Sequence, residues 1–207
     1  MPELPEVETV ARGLAGQMSG RRLLAVDQRR PDLRFPMPER LAERLTGRRV
    51  ESIGRRAKYI LATIEGGEVL VLHLGMSGRI VIGPAEGFAP GRHDHLVFRV
   101  EGGLAVAFND ARRFGMVDLV AREALEDRPY MRALGPEPFD PGFTPAVLSA
   151  ALAGRRTPIK AVLLDQKVVA GLGNIYVSEI LFRARIAPTR LAATVAGRPA
   201  ARLVPAI

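Results

Sequence analysis

The chain has 207 residues, of which 47% are apolar, and it carries a formal net charge of +8 at neutral pH. This length allows one large domain or two small ones, and the apolar fraction argues against disorder. The absence of cysteine excludes disulfides, thiolate metal ligands and a cysteine nucleophile within these residues. The positive charge favours a polyanionic partner, with nucleic acid as the first candidate.

The basic residues are concentrated towards the two ends of the chain. Residues 1–60 contain thirteen Lys or Arg and eight acidic residues, and residues 145–207 contain nine and two. Either these residues form ordinary solvated faces, or both ends line one groove for a polyanion. No apolar run reaches membrane-spanning length, and the acidic N-terminus is unlike a signal peptide, so we expect a soluble, cytoplasmic protein.

The hydrophobic pattern predicts an N-terminal part that is rich in strands. Apolar residues at i, i+3, i+4 and i+7 predict a leading helix over 3–16, and a second helix is predicted over 39–46. From about 50 to 120, short apolar runs with close turn signals predict a β-sandwich or barrel. Two turns share the sequence Glu-Gly-Gly, at 65–67 and 101–103, and each predicts a hairpin. We find no other internal repeat.

A Pro- and Gly-rich segment over 136–142 predicts a linker between a first domain at 1–135 and a second at 143–207. The second domain is predicted to be helical, with segments near 145–153, 157–165 and 174–184 and a further start near 199. The fold class is therefore α+β. The last residues resemble a helix that is still running, which indicates a fragment of a longer protein, and we expect a monomer.

The first candidate for chemistry lies at the N-terminus. If Met1 is removed, the nitrogen of Pro2 becomes a free secondary amine, and such α-amino groups titrate about two pH units below a lysine side chain. An unprotonated amine can attack C1′ of a sugar and form an iminium, with Glu3 beside it as acid and base. The alternative is an ordinary N-terminus whose acidic residues complement the start of a helix.

The segment MPELPEVET at 1–9 resembles the start of the formamidopyrimidine-DNA glycosylases, which remove 8-oxoguanine and ring-opened purines. Further motifs follow in the family's order over nearly the whole chain. The resemblance implies that Pro2 is the nucleophile that forms a Schiff base, that Glu3 assists opening of the sugar, and that Glu6 supports the site. It also implies that Lys58, in RRAKY, sits on a strand, grips a phosphate beside the lesion and assists proton transfer. The alternative for Lys58 is an ordinary solvated lysine.

The segments HLGMSG at 73–78 and NDARRFG at 109–115 carry the next matches. By resemblance, Met76 fills the space left by an extruded nucleotide, and Arg112 and Phe114 complete this wedge. Arg112 can also donate to the orphaned cytosine. Core packing is the alternative for Met76 and Phe114. The family usually has proline where Ala111 stands, a departure that we expect to be harmless.

The remaining matches imply contacts with DNA. His93, in His-Asp-His at 93–95, resembles a DNA-contacting residue, and we reject a metal site there because no third ligand cluster is evident. The stretches at 155–160 and 166–176 resemble the family's helix-two-turn-helix, in which glycines let backbone N–H groups approach a phosphate. The DNA-contacting residues implied in this region are Arg155, Arg156, Lys160 and Asn174.

The family continues into a loop over the flipped base and a four-cysteine zinc finger. Neither is expected in this chain, so we expect no metal or cofactor here and assign the family's one structural zinc to the missing finger. The resemblance implies a bifunctional base-excision repair glycosylase and AP lyase that acts on double-stranded DNA with an oxidised purine and cuts by β,δ-elimination. One alternative is the sister group for oxidised pyrimidines, which Leu4 and the wedge residues disfavour. The other is a DNA-binding fragment with little turnover.

Overall fold

The computed structural model describes all 207 residues, which fold into two compact units, Met1–Glu126 and Asp127–Ile207. The first unit contains all eight strands, and the second is helical, which confirms the predicted α+β class. The division lies before the predicted linker. The reason is that the N–H of Gly135 donates to the carbonyl of Gln166 at 2.8 Å, and the N–H of Ala170 donates to that of Pro136 at 2.9 Å. These bonds attach the Pro- and Gly-rich segment to the second unit.

The strands of the first unit form two antiparallel four-stranded sheets with the orders β1-β6-β7-β5 and β2-β3-β4-β8. Their bounds are β1 Leu23–Gln28, β2 Val50–Arg56, β3 Tyr59–Ile64, β4 Glu68–His73, β5 Arg79–Pro84, β6 Asp94–Val100, β7 Leu104–Asn109 and β8 Met116–Ala121. Both Glu-Gly-Gly turns join adjacent strands, as predicted. Strand β1 lies outside the predicted strand region, because only one of its residues is buried and it has no clean alternation.

The two sheets share one apolar core, to which Phe98 and Phe108 contribute from one sheet and Ile60 and Leu72 from the other. Helix α1 (Leu4–Met18) adds its apolar face to this core, with the periodicity that the sequence predicts. Helix α2 (Leu41–Leu45) is short and buries both of its end residues.

The second unit has its own core, built around Leu148, Leu163 and Leu181. Its helices are α3 Pro129–Arg132, α4 Pro145–Leu152, α5 Ile159–Leu164, α6 Asn174–Arg183 and α7 Arg198–Leu203. Helix α3 was not predicted, since a single turn gives no periodic signal. None of the helices in the chain is both long enough and apolar enough to cross a membrane.

The close packing of the segment before α4 gives a stability prediction. A Cβ on Gly135 would overlap the backbone carbonyl of Lys167, which cannot move like a side-chain end, so Gly135→Ala should lower the free energy of unfolding by about 1–3 kcal/mol. The matched control is Gly13→Ala, in the exposed interior of α1 with no atom within 4 Å, which should raise it by about 0.5–1 kcal/mol. Chemical denaturation of both variants measures this, and equal midpoints would contradict it.

Candidate active site

The start of α1 holds Glu3 in a buried position next to Pro2. Glu3 is the N-cap residue and is 2% exposed, and it forms a capping box with Glu6. In this box the Glu6 carboxylate accepts a hydrogen bond from the N–H of Glu3 at 2.9 Å. The predicted supporting role of Glu6 therefore has a physical basis, because this bond fixes the backbone that follows the half-buried Pro2.

Lys58 lies in the tight turn between β2 and β3, so its predicted place on a strand is wrong. The preceding residue, Ala57, has a left-handed φ of 51°, which lets the chain reverse within two residues. Lys58 is only 6% exposed, which excludes an ordinary solvated lysine. Burial lowers the pKa of Lys58, and the nearby negative charge of Glu3 opposes this shift. The structure thus brings the two predicted catalytic side chains together.

Arg55 ties the Lys58 turn to α1. Its Nε donates to the Glu8 carboxylate at 2.7 Å, and its Nη1 donates to the carbonyl of Ala57 at 2.8 Å. The hydrogen bond from Arg55 is the main cause of a lowered pKa of Glu8. Because the Arg55 side chain is 9% exposed, this ion pair is better shielded from solvent than an ordinary surface pair. Neither Glu8 nor Arg55 is indicated as a site residue by the sequence motifs.

His73, at the end of β4, packs beside the same turn. Its ring centroid lies 4.9 Å from that of Tyr59, and its Nδ1 accepts a hydrogen bond from the N–H of Gly75 at 3.1 Å. Burial, together with the positive charges of Lys58 and Arg34, lowers the pKa of His73 to about 4. The imidazole is therefore neutral at neutral pH and links the Lys58 turn to the loop that carries Met76.

The three predicted wedge residues lie together on two adjoining loops. Met76 and Phe114 are each 44% exposed, which excludes core packing as their role. Gly75 has a φ of 61°, and a Cβ there would overlap the backbone of Phe114, so the loops are in direct contact. The guanidinium of Arg112 lies 4.8 Å from the centroid of the Phe114 ring, a cation–π contact.

Asp110 holds these loops together, a role that the sequence motifs do not indicate. Its carboxylate is fully buried and accepts hydrogen bonds from the Ser77 hydroxyl at 2.5 Å and from the N–H of Gly115 at 2.7 Å. The Ser77 hydroxyl oxygen in turn accepts a hydrogen bond from the N–H of Arg112 at 3.1 Å. One carboxylate therefore sets the positions of both loops.

The predicted DNA-contacting residue His93 is half-buried next to this network. Its carbonyl accepts a hydrogen bond from the N–H of Asp110 at 2.9 Å, and Nε2 of the buried His95 lies 2.8 Å from the Asp110 carbonyl. No group of three or more His, Cys, Asp or Glu side chains is placed to hold a metal ion. The 207 residues also contain no cysteine, so they do not fit the four-cysteine zinc site that the resemblance implies.

The other predicted DNA contacts lie in the second unit. Asn174 is exposed at the first position of α6, as predicted. The loop before it is pinned by the Gln166 side chain, whose Nε2 donates to the Leu172 carbonyl at 2.9 Å and whose Oε1 accepts from the N–H of Gly171 at 2.9 Å. Lys160 is half-buried, and its ammonium donates to the Ser178 hydroxyl at 3.1 Å.

Two arginines precede α5. Arg155 and Arg156 are both exposed, and Arg155 forms a 3.7 Å ion pair with Asp165. Since an exposed pair of this length contributes little, Arg155 can exchange its partner for a phosphate.

Comparison with known proteins places this site in a family. Residues 1–117 match the formamidopyrimidine-DNA glycosylase N-terminal domain, and residues 134–207 match the formamidopyrimidine-DNA glycosylase H2TH domain. The chain belongs to the formamidopyrimidine-DNA glycosylase family. The order of motifs that the sequence shows is therefore the order of this family.

Individual relatives support the same assignment. A formamidopyrimidine-DNA glycosylase of Cereibacter sphaeroides is 58% identical over 214 residues, covering 100% of this chain and 76% of that protein. A Rhodospirillum centenum protein of the same name is 57% identical and is covered to 75%. The Lactococcus lactis Fpg (MutM) in complex with DNA containing an oxidised pyrimidine superposes with a TM-score of 0.92 at 31% identity, over 99% of this chain and 76% of that one. The same protein with N7-benzyl-Fapy-dG DNA also gives a TM-score of 0.92.

The buried imidazole of His73 predicts a pH dependence of stability. Its pKa is about 4 in the folded protein and about 6.5 in the unfolded chain, so between these values only the unfolded chain takes up the proton. Stability should therefore fall by up to about 3 kcal/mol as the pH drops from 6.5 to 4. The variant His73→Gln has no titrating group at this position, so its free energy of unfolding should not show this decrease between pH 6.5 and 4. Urea denaturation at several pH values tests this, and parallel profiles for the two proteins would contradict it.

Proposed function

We propose that this chain is a base-excision repair DNA glycosylase and AP lyase, with Pro2 as the nucleophile and duplex DNA containing an oxidised purine as the substrate. Family membership supports the activity. The observation that carries the assignment of residues is the buried arrangement of Glu3 and Lys58 next to Pro2. A cytoplasmic, monomeric enzyme without a resident cofactor in these residues is part of the same proposal.

The chemistry begins once Met1 has been removed. The free amine of Pro2 attacks C1′ of the damaged nucleotide, a C–N bond forms, and the glycosidic bond breaks as the base leaves and takes up the proton that the Pro2 nitrogen loses. Glu3 provides the proton for the sugar oxygen as the ring opens to the iminium. Loss of a C2′ proton then expels the 3′ phosphate, and a second elimination expels the 5′ phosphate.

Lys58 acts on the phosphate next to the lesion. Because Lys58 is buried in a tight turn beside Glu3, its side chain needs little ordering when DNA binds. A charge held in a buried site also interacts with a phosphate more strongly than a solvated lysine does. Burial makes release of its proton easier, which suits its second role in proton transfer.

The wedge gives access to the damaged base. A target atom within the base stack cannot be reached, so the nucleotide must be extruded and its stacking replaced. The exposed Met76 and Phe114 provide apolar surface for this, and Arg112 provides donors for the unpaired base opposite. In the second unit, the N-terminus of α6 and the cations before α5 bind backbone phosphates.

An oxidised pyrimidine is a second candidate lesion. The Lactococcus lactis Fpg, at 31% identity, forms a complex with DNA that contains such a base. Excision rates on matched purine and pyrimidine lesions distinguish the two preferences.

The role of Pro2 predicts that its nitrogen must be free. A removable N-terminal tag converts this amine into an amide without a nucleophilic lone pair, so borohydride trapping on a damaged duplex should fall to background. Cleavage of the tag immediately before Pro2 should restore trapping in the same sample, which also controls for folding. Equal trapping before and after cleavage would show that another group is the nucleophile.

The role of the wedge predicts a difference between two substrates. Phe114→Ala should slow 8-oxoguanine excision about 5- to 150-fold, because stacking of an aromatic ring on a base contributes about 1–3 kcal/mol. Trapping on a duplex with a preformed abasic site should change little, since no base has to be extruded. The matched control is Phe139→Ala, which removes a 74% exposed ring from the second unit and should alter neither reaction. An equal loss on both substrates would contradict the wedge role.

A further inference from the structure

The two Glu-Gly-Gly turns belong to a larger internal repeat. In each copy a helix is followed by Gly-Arg-Arg and then by a strand: residues 20–22 lead into β1, and residues 47–49 lead into β2. Each of these strands pairs with a strand that ends in a Glu-Gly-Gly turn, β1 with β6 and β2 with β3. The repeat escapes sequence inspection because its parts are far apart in the first copy and close together in the second.

The two Gly-Arg-Arg segments pair with each other about an approximate twofold axis. The N–H of Gly20 donates to the Val50 carbonyl, and the N–H of Gly47 donates to the Leu23 carbonyl, both at 2.7 Å. The next two hydrogen bonds are matched in the same way: the N–H of Leu23 donates to the Arg48 carbonyl and the N–H of Val50 donates to the Arg21 carbonyl, both at 2.9 Å. The segments therefore form one symmetric junction between the two sheets.

The second arginine of each segment stabilises this junction. Nη1 of Arg22 donates to the carbonyl of Gly47 at 2.8 Å, and Nη1 of Arg49 donates to the carbonyl of Gly20. The backbone N–H of Arg22 donates to the Glu101 carboxylate at 3.1 Å, and that of Arg49 donates to the Glu65 carboxylate at 3.2 Å. These two side chains are thus committed to the fold.

The first arginine of each segment makes no such contacts. The guanidinium groups of Arg21 and Arg48 form no ion pair and no hydrogen bond. Each guanidinium lies over the first glycine of a Glu-Gly-Gly turn. If Gly102 carried a Cβ, that atom would lie 3.0 Å from Nη1 of Arg21, and a Cβ on Gly66 would lie 3.5 Å from Nη1 of Arg48. Glycine makes room for these guanidinium groups, and no carboxylate lies within ion-pair distance of either of them.

The carboxylates in the pocket beside Arg48 already have cationic partners. An open pocket of about 630 Å³ beside Arg48 contains Glu43 and Glu65 as its acidic residues. Glu43 pairs with Arg40 at 2.5 Å, and Glu65 pairs with Arg22 at 3.1 Å. Arg21 and Arg48 are therefore surplus cations.

These surplus cations lie at the end of the sandwich opposite Lys58. Strand β2 begins directly after Arg49 and ends just before the Lys58 turn, so its seven residues place the two regions about 20 Å apart. The antiparallel junction puts the α-carbons of Arg21 and Arg48 about 8 Å apart. Arg21 is half-buried and Arg48 is exposed, and two cations with this separation suit an extended anion with repeating charges better than a small enclosed one.

We infer that Arg21 and Arg48 form a second phosphate-binding surface, which holds the backbone of a second duplex DNA segment while the Lys58 end engages the lesion-containing duplex. The inference rests on the proposed function, since DNA is then the polyanion that the chain meets. Contacts to the phosphate backbone carry no sequence preference and weaken with salt. Such a surface lets the enzyme hold two DNA segments and transfer between them.

The test uses the covalent complex of the full chain with a short lesion duplex, trapped by borohydride, and a fluorescent undamaged duplex as the probe. Wild type should capture the probe at low salt. In R21Q/R48Q capture should weaken about tenfold, and the slope of log K against log salt should become shallower by about 2, because two phosphate contacts are lost. The matched control R21K/R48K keeps both charges and should retain capture. Trapping on the lesion duplex should be equal in all three proteins.

Absence of capture by wild type, or equal capture by R21Q/R48Q, would overturn the second surface while leaving the glycosylase assignment intact. Absence of trapping in wild type would instead overturn the proposed function. The surface is then tested by titration with undamaged duplex alone. Wild type should bind two duplexes per chain and R21Q/R48Q one, and a single duplex for both would overturn the inference.

Discussion

The buried carboxylate of Asp110 is the contact on which the geometry of the wedge depends. It accepts hydrogen bonds from Ser77 and Gly115, which belong to two loops that are far apart in sequence. A buried carboxylate is tolerated only when its oxygens accept hydrogen bonds. Separation of the two loops would therefore leave the Asp110 carboxylate without these partners, which is unfavourable. The exposed Met76 and Phe114 are therefore held by loops that are tied to each other, which lowers the ordering cost of the wedge role proposed for them.

A second buried network organises the chemical groups. Glu8 and Arg55 connect α1 to the turn that carries Lys58, and the Glu6 capping bond fixes the backbone at Glu3. The low polarity around this turn, with its positive charges, keeps His73 neutral, so His73 accepts the N–H of Gly75 and joins this network to the wedge loop. The proposed nucleophile, acid, lysine and wedge thus share one end of the sandwich, although they come from four separate parts of the chain.

The positive charge of residues 1–60 is divided between the two ends of this unit. The sequence left open whether the basic residues at both ends of the chain form solvated faces or line one groove. Within residues 1–60 the structure places them in several different settings. Lys58 is buried at one end, Arg22 and Arg49 hold the sheet junction at the other, and Arg21 and Arg48 remain unpaired beside them. Net charge therefore identifies the class of partner but not the number of surfaces that meet it.

The sequence by itself determined the features that arise from local interactions: the α+β class, the leading helix, the two Glu-Gly-Gly hairpins and the start of α6 at Asn174. It also indicated the family, because the motifs are short and occur in order. Tertiary structure alone decided that Lys58 lies in a turn, that Asp110 joins two loops, and that the Gly-Arg-Arg segments pair. Tertiary structure also decided that the domain division lies before residue 136, because Gln166 and Ala170 form hydrogen bonds with the Pro- and Gly-rich segment. Each of these depends on partners that are distant in sequence, and burial and hydrogen bonding between distant residues leave no periodic signal in the chain.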